Sequence, residues 1–204
     1  MSMPKVTLTY FDFPGSRGEE CRLALFLGNV PFEDERIQGA DWPARKAATP
    51  FGALPVLTIE GHAPIAQTNT ILRMVGRHHG LHPSDQWETA RQESLMEAVE
   101  DMRGKLGPMM RIKDEAEKKR AREEFASGFL PEWAAQIERQ LGEGPFVGGA
   151  TINVVDLKLF VAMGPFLRGN IDYIPATIFQ PYPKLLRVFE AVKSHPKVLE
   201  WYAR

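Results

Sequence analysis

The stretch VTLTYFDFPGSRGEECRLALFLGNVPFEDERI, residues 6–37, decides the fold. Val6 to Phe11 is β-branched and aromatic, which predicts a strand. Pro14-Gly15-Ser16 punctuates the chain after it. Glu19 to Leu27 predicts a helix, with two acids in its first turn and Gly28 just past its end. Phe32 to Ile37 predicts a second short strand. A strand, a helix and a strand at this spacing predict a parallel βαβ unit.

Downstream, residues 38–54 read as a long connection punctuated by Gly39, Pro43, Pro50 and Gly52. Connections this long in compact domains usually carry function. Val56 to Ile59 predicts a third strand, and Glu60-Gly61 a tight turn. A brief fourth strand is predicted to end near Ala66, and a helix to run from Thr68 to His79, closed by Gly80. Residues 1–81 therefore form a small α/β domain with a mixed sheet. Pro83, Ser84 and Asp85 make the following residues a linker.

Beyond the linker the strand signals almost vanish. Leu95, Val99, Met102, Leu106 and Met109 alternate spacings of four and three, which lays them along one helical face. Lys113 to Glu124 is rich in both charges, with Asp114–Lys118 and Glu115–Lys119 at helical spacing, and reads as a solvated helix face. Phe125, Phe129, Trp133 and Ile137 continue an apolar stripe on that helix, with Pro131 as its expected kink. Asn153 followed by Asp156 predicts a capping pair before the apolar run Leu157 to Met163. Pro183 to Ser194 and Pro196 to Ala203 predict two terminal helices. Residues 87–204 are thus read as an all-helical domain.

Composition bounds the function. The chain has 204 residues and a formal net charge of -1, which gives no electrostatic footprint for nucleic acid or an acidic membrane face. Its 44% hydrophobic content is enough for a packed core. Cys21 is the single cysteine, so no internal disulfide forms, which fits a reducing compartment. Met1-Ser2-Met3-Pro4-Lys5 reads as neither a signal peptide nor a spanning segment.

Three segments of the first domain can carry chemistry. Tyr10 stands at the end of the first strand, where ligands of open α/β sheets gather; taken alone, a tyrosine there is more often an ordinary strand aromatic. Trp42 and Lys46 are both donors and together can hold a carboxylate, or they are a loop tryptophan beside a surface lysine. Leu54-Pro55 precedes a strand, where an X-Pro bond can be cis. Such a bend exposes the Leu54 backbone to a peptide laid alongside. Gln67-Thr68 opens a helix whose amides and dipole favour an anion, or it is a simple cap.

Taken together, these segments make the chain resemble the cytosolic glutathione transferases of the tyrosine type. The runs Leu8-Thr9-Tyr10-Phe11, Ala40-Asp41-Trp42-Pro43 and Pro50-Phe51-Gly52-Ala53-Leu54-Pro55, with the pair Gln67-Thr68, are most similar to the sigma class. The resemblance implies a thioredoxin-like N-terminal domain, a helical C-terminal domain, a cytoplasmic homodimer and no metal. It implies that glutathione is the co-substrate, with Tyr10 as the catalytic hydroxyl on its sulfur. Arg17 matches an arginine of the loop after the first strand. Trp42 and Lys46 match donors for the glycine carboxylate. Leu54 matches the residue whose backbone pairs with the cysteinyl unit, and Pro55 the cis-proline. Ala53 falls where many members carry a longer polar side chain. Gln67 and Thr68 match the pair at the γ-glutamyl end. Asp101 matches an acid that reaches glutathione in the partner subunit.

Phe13, Met102, Met109 and Met110 are candidate walls of an apolar pocket for a hydrophobic electrophile, and are equally core residues. The Pro14-Gly15-Ser16 stretch is one residue longer than in the animal sigma enzymes. Conjugation is the expected reaction; glutathione-dependent isomerisation or peroxidase chemistry, or non-catalytic carriage of hydrophobic ligands, fit the same fold. Thiol–disulfide exchange does not fit, because Cys21 falls inside a helix and there is no Cys-x-x-Cys.

Overall fold

The computed structural model describes residues 4–204; the Met1-Ser2-Met3 part of the N-terminal reading lies outside them. The chain divides into two compact units, one holding the residues up to Ser84 together with His195–Arg204, the other holding Asp85–Ser194.

The first unit is built on a four-stranded sheet. Its strands are β1 (Val6–Phe11), β2 (Glu33–Ile37), β3 (Val56–Ile59) and β4 (Ile65–Ala66), in the order β2-β1-β3-β4. β1 and β2 are parallel, with Tyr10 opposite Arg36. β3 is antiparallel to β1, with Val56 opposite Thr9, and β4 is antiparallel to β3, with Ala66 opposite Val56. The predicted parallel βαβ unit and mixed sheet are both present, closed by helix α1 (Ser16–Leu27).

Helix α1 begins three residues earlier than the acids Glu19 and Glu20 implied. Its N-cap is Gly15 at φ 96, and Ser16 follows at φ 57. Arg17 therefore sits in the first turn of α1, not in a loop. Cys21, Leu23, Ala24 and Leu25 are buried, because α1 packs on β1, on α3 (Thr68–His78) and on α9 (Pro196–Tyr202). The long connection is not structureless: it holds a short helix α2 (Trp42–Arg45) and a 3₁₀ turn over Lys46–Ala48. Arg45 ties it to β2 through Glu35 at 2.7 Å. The Thr9 hydroxyl at 2.6 Å, helped by Arg45, holds that carboxyl below the usual range.

Residues His195–Arg204 pack with the first compact unit. Helix α9 belongs to the first unit, for reasons visible in its side chains. Trp201 Nε1 donates to Glu19 Oε1 at 2.7 Å, and its ring packs on Phe26 and Phe32. Lys197 Nζ donates to the carbonyl of Leu27, where α1 ends, and to Asn29 Oδ1.

The second unit is a helical bundle of α4 (Gln86–Met109), α5 (Glu115–Ser127), α6 (Phe129–Gln140), α7 (Val154–Leu167) and α8 (Pro183–Lys193). The apolar stripe of α4 is buried at Leu95, Val99 and Met102. The charged segment caps and pairs differently from its spacing. Asp114 caps α5 by accepting from the Glu117 amide, and Glu115 pairs with Lys118 at 2.5 Å rather than with Lys119. The expected kink at Pro131 is instead a break at Gly128, which ends α5 and starts α6. Pro131 lies in the first turn of α6, where its missing N–H costs no helical bond.

The predicted capping pair is a full capping box. Asn153 Oδ1 accepts from the amides of Val155 and Asp156, and Asp156 accepts from the Asn153 amide at 2.8 Å and the Val147 amide at 2.7 Å. Asn153 in turn donates to Gln92 Oε1 at 2.6 Å, fixing α7 to α4. Lys158, wholly buried on α7, is compensated by Glu100 at 2.6 Å. Among the described residues no helix is long and apolar enough to cross a membrane.

Candidate active site

Sheet topology gathers the predicted site residues at one edge. β1 ends there with Tyr10 and Phe11, and β2 ends beside it at Ile37, leading to Trp42. β3 runs the other way, so Leu54 and Pro55 lie just outside its start, next to Thr9. β4 reverses again, so Gln67 and Thr68 follow its last residue at the same edge. The mixed order of the sheet thus brings four segments that are distant in sequence to one place in the first unit.

Tyr10 is 5% exposed. Its ring packs against Phe11 and Phe13, each at 5.6 Å between centroids, and Phe11 carries Trp42 edge-on at 5.7 Å. Gly18 lies under the ring. The phenol O–H donates to Ser16 Oγ at 3.3 Å.

Arg22 braces this corner from below. It is wholly buried, with Nε 2.9 Å from Asp34 and Nη1 3.3 Å from Glu19. Its remaining donors reach the carbonyls of Phe11 at 3.3 Å and Phe13 at 3.4 Å. A buried guanidinium is tolerated only when so compensated. It pins the turn that carries Phe13, and its Cζ lies 5.8 Å from the Tyr10 ring centroid.

At the far side of the edge, the Leu54–Pro55 bond is cis. Gln67 takes a left-handed backbone at φ 73 and ψ 113 as the N-cap of α3. Such conformations in a non-glycine residue concentrate at ligand sites. The first amides of α3 have no intrahelical partner by construction. Thr68 is 4% exposed, and among the described residues neither Thr68 Oγ1 nor Asn69 Oδ1 has a hydrogen-bond partner. Buried polar atoms are rarely left so, and this pair fits a polar ligand at the start of α3.

Between these poles, Trp42 is half-buried and Lys46 exposed, with the Lys46 stem running past Gly52 at φ 60. Ala53 brings only a methyl group. Arg17 is half-buried in the first turn of α1. In the second unit Asp101 is exposed on α4. Met102 is 1% exposed in the core of that unit, which removes it as an open pocket wall. Met109 is half-buried, and Phe13 and Met110 are exposed.

Sequence reasoning missed Ser16, Gly18, Arg22 and Asn69. Ser16 read as turn punctuation, although Ser16-Arg17-Gly18-Glu19 has the spacing that marks a helix start. Gly18 and Arg22 carry no local signal, since their roles depend on what folds against them.

The glutathione S-transferase C-terminal domain family matches residues 100–204. Glutathione S-transferase 1 of Ascaris suum is 30% identical over 206 residues, covering 98% of this chain and 97% of that protein. Hematopoietic prostaglandin D synthase of Gallus gallus is 29% identical over 199 residues, covering 98% and 96%. The structure of a prostaglandin synthase D of Nilaparvata lugens superposes with a TM-score of 0.85 at 27% identity, covering 98% of each chain. The thioredoxin-like first unit, the helical bundle and these similarities agree, and the chain belongs to the glutathione transferase family as a transferase enzyme.

Proposed function

We propose that this transferase binds glutathione along the sheet edge of its first unit, activates its thiol through Tyr10, and conjugates it to hydrophobic electrophiles. The observation that carries the reading is the convergence of Tyr10, Trp42, Leu54, Gln67 and Thr68 at one edge, with the buried Thr68 hydroxyl lacking a partner there.

In this reading Gln67 and Thr68 take the γ-glutamyl end, the Leu54 backbone beside Pro55 pairs with the cysteinyl unit, and Trp42 and Lys46 take the glycine carboxylate. Arg17 adds positive charge near the sulfur, and the exposed Phe13 is the first unit's apolar contact for the electrophile.

The energetics are of the right size. A free thiol has a pKa of about 8.5, and the thiolate is the nucleophile. Making thiolate dominant at neutral pH needs a shift of roughly two units, or about 2.7 kcal/mol. One hydrogen bond to a charged acceptor contributes ~1.5–3 kcal/mol. A single well-placed hydroxyl therefore suffices.

We further propose a cytoplasmic homodimer in which Asp101 reaches the glutathione of the partner. Phe51 supports a partner, because this phenylalanine on the connection before β3 is 69% exposed.

The test is calorimetric titration with glutathione, followed by turnover with a chlorinated dinitrobenzene and with a panel of isomerisable and peroxide substrates. Tyr10→Phe is expected to hold glutathione within about threefold of the parent while losing about 10²-fold in turnover. Equal turnover of variant and parent would sink the assignment.

A further inference from the structure

The far end of the first unit's sheet holds a cavity of about 700 Å³. β1 runs from this end to the glutathione edge, so Val6 and Tyr10 stand roughly 13 Å apart along the strand. Val6 pairs with Ile59 in β3, and side chains alternate between faces, so Val6, Leu57 and Ile59 share one face of the sheet. Leu25 of α1 and Val75 of α3 form the opposite wall, and Phe32 closes the side.

Packing is incomplete only toward this end. Leu8, the next residue inward on the same face as Val6, is 0% exposed. Val6, Val30, Phe32, Ile59 and Met74 all line the cavity and are only half-buried, although each is apolar. Protein interiors pack without voids of this size. Mainly apolar clefts of roughly 300–1,000 Å³ are the usual form of small-molecule sites.

The surroundings set the charge of what fits. Two ammonium groups lie near the rim, and both are engaged. Lys5 Nζ is 2.8 Å from Glu33, and Lys197 Nζ donates to the Leu27 carbonyl and to Asn29 Oδ1. The C-terminal ends of α1 and α3 also meet here, at Asn29 and His79, and helix C-termini disfavour anions. A cation fares no better, because Glu33 supplies the one carboxylate of the lining and Lys5 holds it. The side chains of Asn29 and His79 offer hydrogen bonds to one polar group of a ligand.

We propose that this cavity is a second ligand site, separate from the glutathione edge, that takes an uncharged apolar small molecule with at most one polar group. It does not depend on the thiol chemistry assigned to Tyr10.

The probe is N-phenyl-1-naphthylamine, an uncharged dye whose fluorescence rises in apolar surroundings. Its anionic counterpart, 1-anilinonaphthalene-8-sulfonate, is titrated beside it. Both are added to the full-length protein with excess S-hexylglutathione present to fill the glutathione edge. Ile59→Trp and Val30→Trp fill the cavity from two different walls. Thermal denaturation checks their folding, and should one fail to fold, the other decides.

The uncharged dye is expected to bind once per chain in the micromolar range, and the sulfonate at least about tenfold more weakly. Each tryptophan variant is expected to weaken the uncharged dye by about tenfold or more, while turnover of a chlorinated dinitrobenzene stays within about twofold of the parent. Absence of dye binding would overturn the proposal, as would binding unchanged in the variants. Binding abolished by S-hexylglutathione would place the dye at the glutathione edge and overturn it too. Tighter binding of the sulfonate would overturn the uncharged class. Binding seen only in a variant lacking residues 1–3 would assign the cavity to the chain's own N-terminal residues, against the proposal. A parent that binds the dye as expected but neither binds nor conjugates glutathione overturns the thiol-activating reading alone.

Discussion

Gly18 lies directly beneath Tyr10: a β-carbon built on the glycine would fall 2.1 Å from Tyr10 Cδ1. No side chain fits there without moving the ring. Gly18→Ala gains about 1 kcal/mol of helix propensity but costs ~1–3 kcal/mol of overpacking. The ring and its hydroxyl must swing away from Ser16. We expect a modest net loss of stability and a fall in turnover of at least about tenfold, with a much smaller change in glutathione affinity. Thermal denaturation and steady-state kinetics check both; full activity in Gly18→Ala would show that the ring position is not critical.

The buried Thr68 hydroxyl separates binding from stability. Because it lacks a partner among the described residues, replacing it with a methyl group removes an unsatisfied polar atom. Thr68→Val is expected to raise stability by up to about 1 kcal/mol and to weaken glutathione binding by about tenfold. Urea denaturation and calorimetry give the two numbers. Unchanged affinity would remove Thr68 from the ligand contacts.

Phe51 offers a test of assembly that leaves the chemistry alone. Truncating an exposed apolar anchor at an interface typically costs ~2 kcal/mol or more of association. Phe51→Ala is expected to shift the dimer toward monomer at low micromolar concentration, read by light scattering, without destabilising the fold. A parent that is monomeric at all concentrations would refute both the dimer and the role of Asp101.

Asp156 makes stability depend on pH. Burial pushes its carboxyl up to about 7, against the lowering effect of the Val147 and Asn153 amides. In the unfolded chain it ionises near its ordinary value of 3.8. Between these limits the unfolded state releases a proton that the folded state keeps. The contribution is therefore complete at low pH and is lost as pH rises toward 7, by up to about 1.4 kcal/mol per pH unit. Asp156→Asn should flatten this part of the profile. It should also be less stable at pH 5, because its amide nitrogen cannot accept from a backbone N–H. Urea midpoints from pH 5 to 8 decide it, and parallel curves for parent and variant would refute the linkage.

The first unit was legible because its signals are local. Strand composition at Val6–Phe11, turn residues after it and Gly28 at the helix end specify a βαβ unit without reference to the rest of the chain. α1 starts earlier than its acids suggest, because Ser16 after Pro14 and Gly15 reads as part of a turn. The second unit showed its helices but not their ends: periodicity ran through Gly128, where the backbone turns away, and settled on Pro131, which a first turn accommodates. The assignment of α9 was illegible in principle, since nothing in Pro196–Tyr202 names Glu19, Phe26 or Phe32 as its neighbours. At the site, residue types such as Tyr10 and Trp42 stood out, whereas Gly18, Arg22 and the unpaired Thr68 hydroxyl acquire meaning only from three-dimensional neighbours.

The return of α9 to the first unit also sets an order of events during synthesis. Phe26 and Phe32 leave the ribosome early, but Trp201, which packs on both, emerges only after Asp85–Ser194 has been made. The nascent first unit therefore waits, with two aromatic rings lacking their tryptophan cover, while an entire helical bundle is translated. Until α9 is made, the sheet that carries Tyr10 stands on an incomplete unit.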